Sequence, residues 1–192
     1  MEGHDLGCQN VVYGGLHKSG ACKRRRNGIV CVHPHGVVKQ VTDAKIWENE
    51  INMFKLLSSE CTNLFPSLLY VDEECMVMVQ ENVNDQGQGA LEWKDRWTAD
   101  FETYSEQISN AYVMFEKLGI FPDDLNICCN MIVNGPEIKI IDFGFYKIVK
   151  NPAILKKKLE TTRKRILEDI FTIVERQIPY QGWCPGGPCR NG

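Results

Sequence analysis

Ile138-Lys139-Ile140-Ile141-Asp142-Phe143-Gly144-Phe145, preceded by Gly119-Ile120-Phe121-Pro122-Asp123-Asp124-Leu125-Asn126, decides how this chain is read. Between the carboxylates Asp124 and Asp142 lie two β-branched runs, Met131-Ile132-Val133 and Ile138-Lys139-Ile140-Ile141, separated by Asn134-Gly135-Pro136-Glu137. Runs of that kind around such a tetrapeptide predict a β-hairpin, which presents Asp142 at its exit. The plain alternative is a surface turn after an edge strand, because Asp favours turns and Gly supplies positive φ.

The two segments resemble the catalytic half of a protein kinase. In that family an aspartate of a His-Arg-Asp-Leu loop meets the hydroxyl to be phosphorylated, and a second, in Asp-Phe-Gly, holds the magnesium that bridges the ATP phosphates. Asp124 and Asp142, eighteen residues apart, match those positions. The resemblance makes demands upstream. Lys39, in Gly36-Val37-Val38-Lys39-Gln40-Val41, stands where the family's Val-Ala-Ile-Lys strand carries the lysine that grips the α- and β-phosphates. Asp43 then opens a helix through Leu57, with Trp47, Ile51, Phe54 and Leu57 at the spacing of one buried face. Glu50, in Glu50-Ile51-Asn52-Met53-Phe54-Lys55-Leu56-Leu57, resembles the glutamate that fixes that lysine. Glu48 competes for the role, and a glutamate on an amphipathic helix is otherwise simply solvated.

Leu68-Leu69-Tyr70-Val71, the polar turn Asp72-Glu73-Glu74, and Cys75-Met76-Val77-Met78-Val79-Gln80-Glu81 predict two strands. The resemblance implies that Gln80 guards the rear of an adenine pocket and that backbone groups of Glu81 and Val83 face the adenine edge. For a glycine-rich phosphate loop only Gly14-Gly15-Leu16-His17-Lys18-Ser19-Gly20 is available, and its spacing departs from the family's. Gly15 and Gly20 are its candidate phosphate contacts. Lys23-Arg24-Arg25-Arg26 comes next, as a supplement to phosphate binding, a nuclear-import signal or a solvated loop tip.

Three features depart from the family. The phosphate loop is the first. In the catalytic loop Pro122 occupies the usual His position, and a gapless count puts Cys129 at the second magnesium ligand. A thiol suits that hard cation poorly, so either a one-residue bulge brings Asn130 to the metal or the second site is lost. Asn126 is a candidate for orienting substrate. Finally, only forty-eight residues follow Gly144, and no activation segment or Ala-Pro-Glu anchor is found among them. Instead Pro152 begins a basic helix to about Arg176, with Leu155, Leu159, Ile166, Ile170 and Ile173 or Val174 on one face. Lys156-Lys157-Lys158 and Arg163-Lys164-Arg165 fall largely outside it, as a solvated face or a docking face for an acidic partner. Tyr104, Ile108, Ala111, Tyr112, Phe115 and Leu118 mark a long helix ahead of the catalytic loop.

The chain of 192 residues, 43% hydrophobic and 24% charged, has the composition of one compact globular unit without internal repeats. A net charge of −3 argues against general affinity for nucleic acid or anionic membrane. No run is long enough for a membrane span and no secretory h-region opens the chain, so the expectation is an intracellular protein, cytoplasmic and also nuclear if the basic cluster is an import signal. Its nine cysteines then read as thiols, with Cys31, Cys75, Cys128 and Cys129 in apolar stretches. Cys184 and Cys189 belong to a flexible tail, or to a zinc site with His33 and His35.

The resemblance spans about residues 28 to 150 and looks like the minimal, truncated kinases of large DNA viruses and some bacterial effectors. It implies an α+β chain, a reduced two-lobed protein-kinase-like fold in a single domain 1–192. The small β-rich lobe covers about 9–81, the truncated helical large lobe about 84–178, and the tail 179–192. The implied reaction is transfer of the γ-phosphoryl group of ATP, with Mg2+, to a Ser or Thr of a host protein. Asp124, Lys39 and Asp142 would be catalytic. Lys39, Glu50, Glu81, Val83, Gly15 and Gly20 would hold nucleotide, and Asp142 and Asn130 the metal. The alternative is a pseudokinase that modulates a host kinase or other host regulator by contact, and a third reading is a small-molecule or lipid kinase.

Overall fold

The structure is a computed structural model that describes residues 21–25, 27–58, 60, 63–83, 97–127, 130–176, 183–184 and 187–188. Its architecture is mixed α+β. The largest sheet is fully antiparallel, with strands in the order β1-β2-β3-β5-β4. These strands are β1 (Ala21–Arg25), β2 (Gly28–His33), β3 (Gly36–Val41), β4 (Leu68–Asp72) and β5 (Val77–Gln80). Arg25 pairs with Gly28, so only residues 26–27 connect β1 to β2. A Cβ on Gly28 would lie 1.9 Å from the Gln40 carbonyl oxygen, which no side chain tolerates. The β4–β5 turn takes in Cys75 and Met76, expected as strand, because Asp72 Oδ1 accepts the Cys75 N–H at 2.9 Å and curls the chain.

Helix α1 (Ala44–Ser58) begins where Asp43 Oδ1 accepts the N–H groups of Lys45 and Ile46. Asp43 is therefore the cap, not the first turn. Trp47, Ile51, Phe54 and Leu57 are buried as their spacing predicts. Helix α2 (Phe101–Leu118) is capped by Asp100 and stopped by Gly119 at φ 72°. The chain then enters β6 (Ile120–Phe121), which pairs with β9 (Lys147–Ile148). Between them stands the expected hairpin, β7 (Met131–Asn134) and β8 (Glu137–Ile140), turned by Gly135 at φ 62° and Pro136. Helix α3 (Pro152–Val174) starts at Asn151, whose side chain accepts from Ala153 and Ile154, and packs along α2. Leu155, Leu159, Ile166, Ile170 and Ile173 are buried, so Ile173 rather than Val174 closes the stripe.

One apolar core runs from Val41 and α1 through Met78 of β5 to α2, the hairpin and α3. Strands β10 (Trp183–Cys184) and β11 (Gly187–Pro188) form a small antiparallel pair. Gly15, Gly20, Arg26, Cys128, Cys129, Cys189 and the rest of the tail lie outside the described residues. The thiol reading is corrected at two positions: Cys31 and Cys75 are disulfide-bonded. Apolar context predicted a buried Cys31 correctly, but it does not distinguish a thiol from a disulfide. Among the described residues no helix is long and apolar enough to cross a membrane.

Candidate functional site

Strand β3 runs between β2 and β5 and turns Lys39 toward α1. Lys39 Nζ donates to Glu50 Oε1 at 2.7 Å and to Asp142 Oδ1 at 2.8 Å. Glu50 is sealed from solvent, whereas 46% of the Asp142 side chain is exposed. Burial alone would push the Lys39 ammonium down, but the attraction of Glu50 and then Asp142 outweighs it and holds the group above its ordinary value. Burial pushes the Glu50 carboxyl up, against the pull of Lys39. A buried carboxylate needs such a partner, and this settles the choice between the two glutamates: Glu48 is exposed.

Asp142 sits in the left-handed region at φ 65°, a conformation with a cost of about 1–2 kcal/mol for most side chains and one that Asp tolerates better. The turn beyond it is held firmly. Phe143 is fully buried, edge-on to Phe54 at 4.7 Å and to Phe65 at 5.6 Å between ring centroids. From α1, Asn49 Nδ2 donates to the carbonyls of Gly144 and Tyr146 at 2.9 and 2.8 Å, with that of Phe143 at 3.4 Å. A Cβ on Gly144 would lie 2.8 Å from Ile46 Cγ2, so helix and turn are in close approach. Adjacent residues of α1 thus hold Lys39 and the Asp-Phe-Gly turn. Sequence reading missed Asn49, although a weak helix former in mid-helix beside Glu50 was a signal.

The loop after β6 is fixed by its backbone carbonyls. That of Asp124 accepts from Asn126 Nδ2 at 2.9 Å and Asn130 Nδ2 at 3.1 Å, and that of Leu125 accepts from Arg165 at 3.2 Å. Lys147 pairs with Asp123. The Ile141 N–H donates to the Asn130 carbonyl at 2.9 Å, which seats buried Asn130 beside the strand that delivers Asp142. Burial first, and Asp142 second, push the Asp124 carboxyl up to about 6, with Asn130 pulling the other way. Its Oδ1 is buried without a hydrogen-bond partner among the described residues, as is the hydroxyl of Tyr146. The Tyr146 hydroxyl is held well above its ordinary value, by burial and then by the Asp124 charge. The basic residues of α3 are less free than expected: Lys158 lies over the Phe121 ring at 4.7 Å and Arg165 grips the loop, while Lys156, Lys157, Arg163 and Lys164 are exposed.

At the end of β5 Gln80 is buried. The Glu81 N–H donates to the Ser67 carbonyl at 2.8 Å, so that N–H is already engaged and does not face a ligand as expected. Asn82 ties this segment to the His33 carbonyl at 2.7 Å, and Val83 is buried.

Among the described residues no three or more His, Cys, Asp or Glu are grouped as a metal cage. Of the two expected oxygen donors, Asp142 is partly exposed and Asn130 is buried with its backbone carbonyl bonded to the N–H of Ile141, the residue before Asp142. A sparse, all-oxygen set suits magnesium, which takes one or two carboxylates and completes its shell with water and substrate phosphates. No protein-family model matches the chain, and comparison with curated proteins finds no match.

Proposed function

We propose that this chain is a reduced protein-kinase-like domain that binds ATP with magnesium and transfers the γ-phosphoryl group to a Ser or Thr of a host protein. The observation that carries this reading is the meeting of three elements at one ammonium: Lys39 from β3, Glu50 from α1 and Asp142 from the hairpin exit. On this reading the five-stranded sheet and α1 are the small lobe, about 9–81. Residues 81–83 are the hinge, and the helices with the hairpin are a truncated large lobe, about 84–178.

Lys39 neutralises the α- and β-phosphates and Glu50 keeps it in place. Asp142 and Asn130 would hold a magnesium ion, which would supply positive charge to offset that of the phosphates. Asp124, poised near 6, is mostly ionised at neutral pH and accepts the proton of the acceptor hydroxyl. Such transfer depends on positioning and electrostatics rather than covalent work by the protein, so a stripped scaffold suffices. The competing reading, a pseudokinase acting by contact, is favoured by one observation: Lys39 already satisfies an oxygen of Asp142. An ATP-using protein works inside cells, in the cytoplasm or nucleus. The disulfides at Cys31 and Cys75 belong to an oxidising setting and sit least easily with that location.

Thermal unfolding with ATP, with and without magnesium, tests the reading. Nucleotide at about a hundredfold excess over Kd should add about 2.7 kcal/mol of stability. Asp142→Asn, which tolerates the left-handed backbone, should keep the fold and lose the magnesium-dependent part of that gain. No stabilisation of the wild type at millimolar MgATP would sink the proposal.

A further inference from the structure

We infer that the acceptor Ser or Thr lies in an acidic segment of its protein, which Lys158 and Arg165 of α3 and Lys147 of β9 draw to Asp124. This rests on the phosphoryl-transfer reading above and names the substrate class of that site. Three contacts carry the argument, because each fixes one cation to the stretch that holds Asp124. Lys158 Nζ lies 4.7 Å from the centroid of the Phe121 ring, Lys147 pairs with Asp123, and Arg165 donates to the Leu125 carbonyl at 3.2 Å. Residues 121–125 span at most about 14 Å even when fully extended, so the three anchors flank one carboxylate. Lys158 and Arg165 stand seven residues apart on α3 and share one face of it.

The chemistry of these contacts leaves positive charge to be met. An aromatic face and a carbonyl hold a cation without neutralising it, and both Lys158 and Arg165 are exposed. The carboxylates that offset the group are Asp123, already paired with Lys147, and Asp169, one turn beyond Arg165 on α3 and within reach of its charge. Lys158 forms no ion pair among the described residues. Magnesium does not reverse the balance on the nucleotide side. With its ion counted MgATP is still an anion, and Asp124 adds a negative charge, so an acidic acceptor is repelled unless cations stand at its approach. Lys147, Lys158 and Arg165 stand there. An acceptor rich in Lys or Arg would meet the same three residues as like charges. An extended segment advances about 3.4 Å per residue, so the carboxylates recognised lie within about four residues of the acceptor hydroxyl.

The test is fluorescence anisotropy of the full-length chain with three labelled peptides, each a central Ser flanked by Glu, by Gln or by Lys, with phosphorylation by MgATP followed in parallel. The Glu peptide should bind about tenfold more tightly than the Gln peptide, a margin that shrinks as salt is added, and the Lys peptide least of all. Lys158→Gln and Arg165→Gln should each weaken the Glu peptide about threefold and leave the Gln peptide alone. Arg165→Lys keeps the charge and should keep the preference. Lys156→Gln removes a cation from the same helix, two residues from Lys158 and on another side, and should change nothing. Equal affinity for the Glu and Gln peptides in a wild type that binds MgATP would overturn the inference and leave the ATP reading intact. So would a preference that survives both Gln variants, or one that Lys156→Gln reduces as much as Lys158→Gln. A wild type that prefers the Glu peptide and binds MgATP but never phosphorylates that peptide would overturn the acceptor assignment. Failure to bind MgATP would overturn the phosphoryl-transfer reading and the inference with it.

Discussion

At the exit of β8, Asp142 keeps nearly half of its side chain in solvent and gives one oxygen to Lys39, whereas eighteen residues earlier Asp124 leaves a carboxylate oxygen buried with no partner among the described residues. The first environment suits a group that must trade one cation for another as ligands come and go. The second, under-bonded and pushed up to about 6, suits a group that takes and returns a proton. One short hairpin therefore joins two carboxylates whose chemistry is divided by burial and partners rather than by residue type.

Removing each carboxylate in turn probes that contrast most directly. Asp124→Ala should lower phosphorylation of an acceptor protein by about a hundredfold or more while MgATP affinity stays within a few-fold. Asp142→Asn should do the reverse first, and weaken MgATP. If both variants lose affinity alike, the proposed division of labour is gone. Phosphate incorporation that is equal in wild type and Asp124→Ala would mean a co-purified kinase.

A smaller effect is expected with pH. The folded-state value of Asp124 lies above its unfolded one, so its contribution to stability is fully present below about pH 4 and is lost as pH rises through about 6. Discounted for partial exposure, the loss is about 2 kcal/mol. Urea midpoints at pH 4 and pH 7 should show this loss in the wild type and not in Asp124→Asn; parallel behaviour would show that the burial of Asp124 is not felt in solution. Activity runs the other way, and kcat/KM should climb through about pH 6 as the base ionises.

The smallest effect concerns Lys147, whose pair with Asp123 lies at the surface. Lys147→Ala should cost under about 1 kcal/mol in chemical denaturation. A loss above about 2 kcal/mol would make this pair, rather than burial, the main constraint on the Asp124 loop.

What could be read from the chain was what its local patterns encode. The α1 stripe, the hairpin around Gly135-Pro136 and the α3 stripe arise from apolar spacing and turn residues, and each is present in the fold. The targets of long-range polar contacts were not legible: an asparagine in mid-helix marks Asn49 as unusual, but nothing near it or Arg165 says that one reaches carbonyls more than ninety residues away and the other a loop forty residues back. Asp142 misleads in another way, since the glycine two residues later is the expected bearer of a positive φ. Lys23-Arg24-Arg25 resembled a loop because of its charge, yet an edge strand accommodates charge readily and uses it against unwanted pairing.

For inhibitor chemistry, the burial of Phe143 is a boundary. A compound that displaced Phe143 would have to lever that ring from between Phe54, Phe65 and Tyr146, and also strip Asn49 of its carbonyl partners. On the proposed nucleotide reading, the compounds this site would admit without rearrangement are those that leave Phe143 in its place.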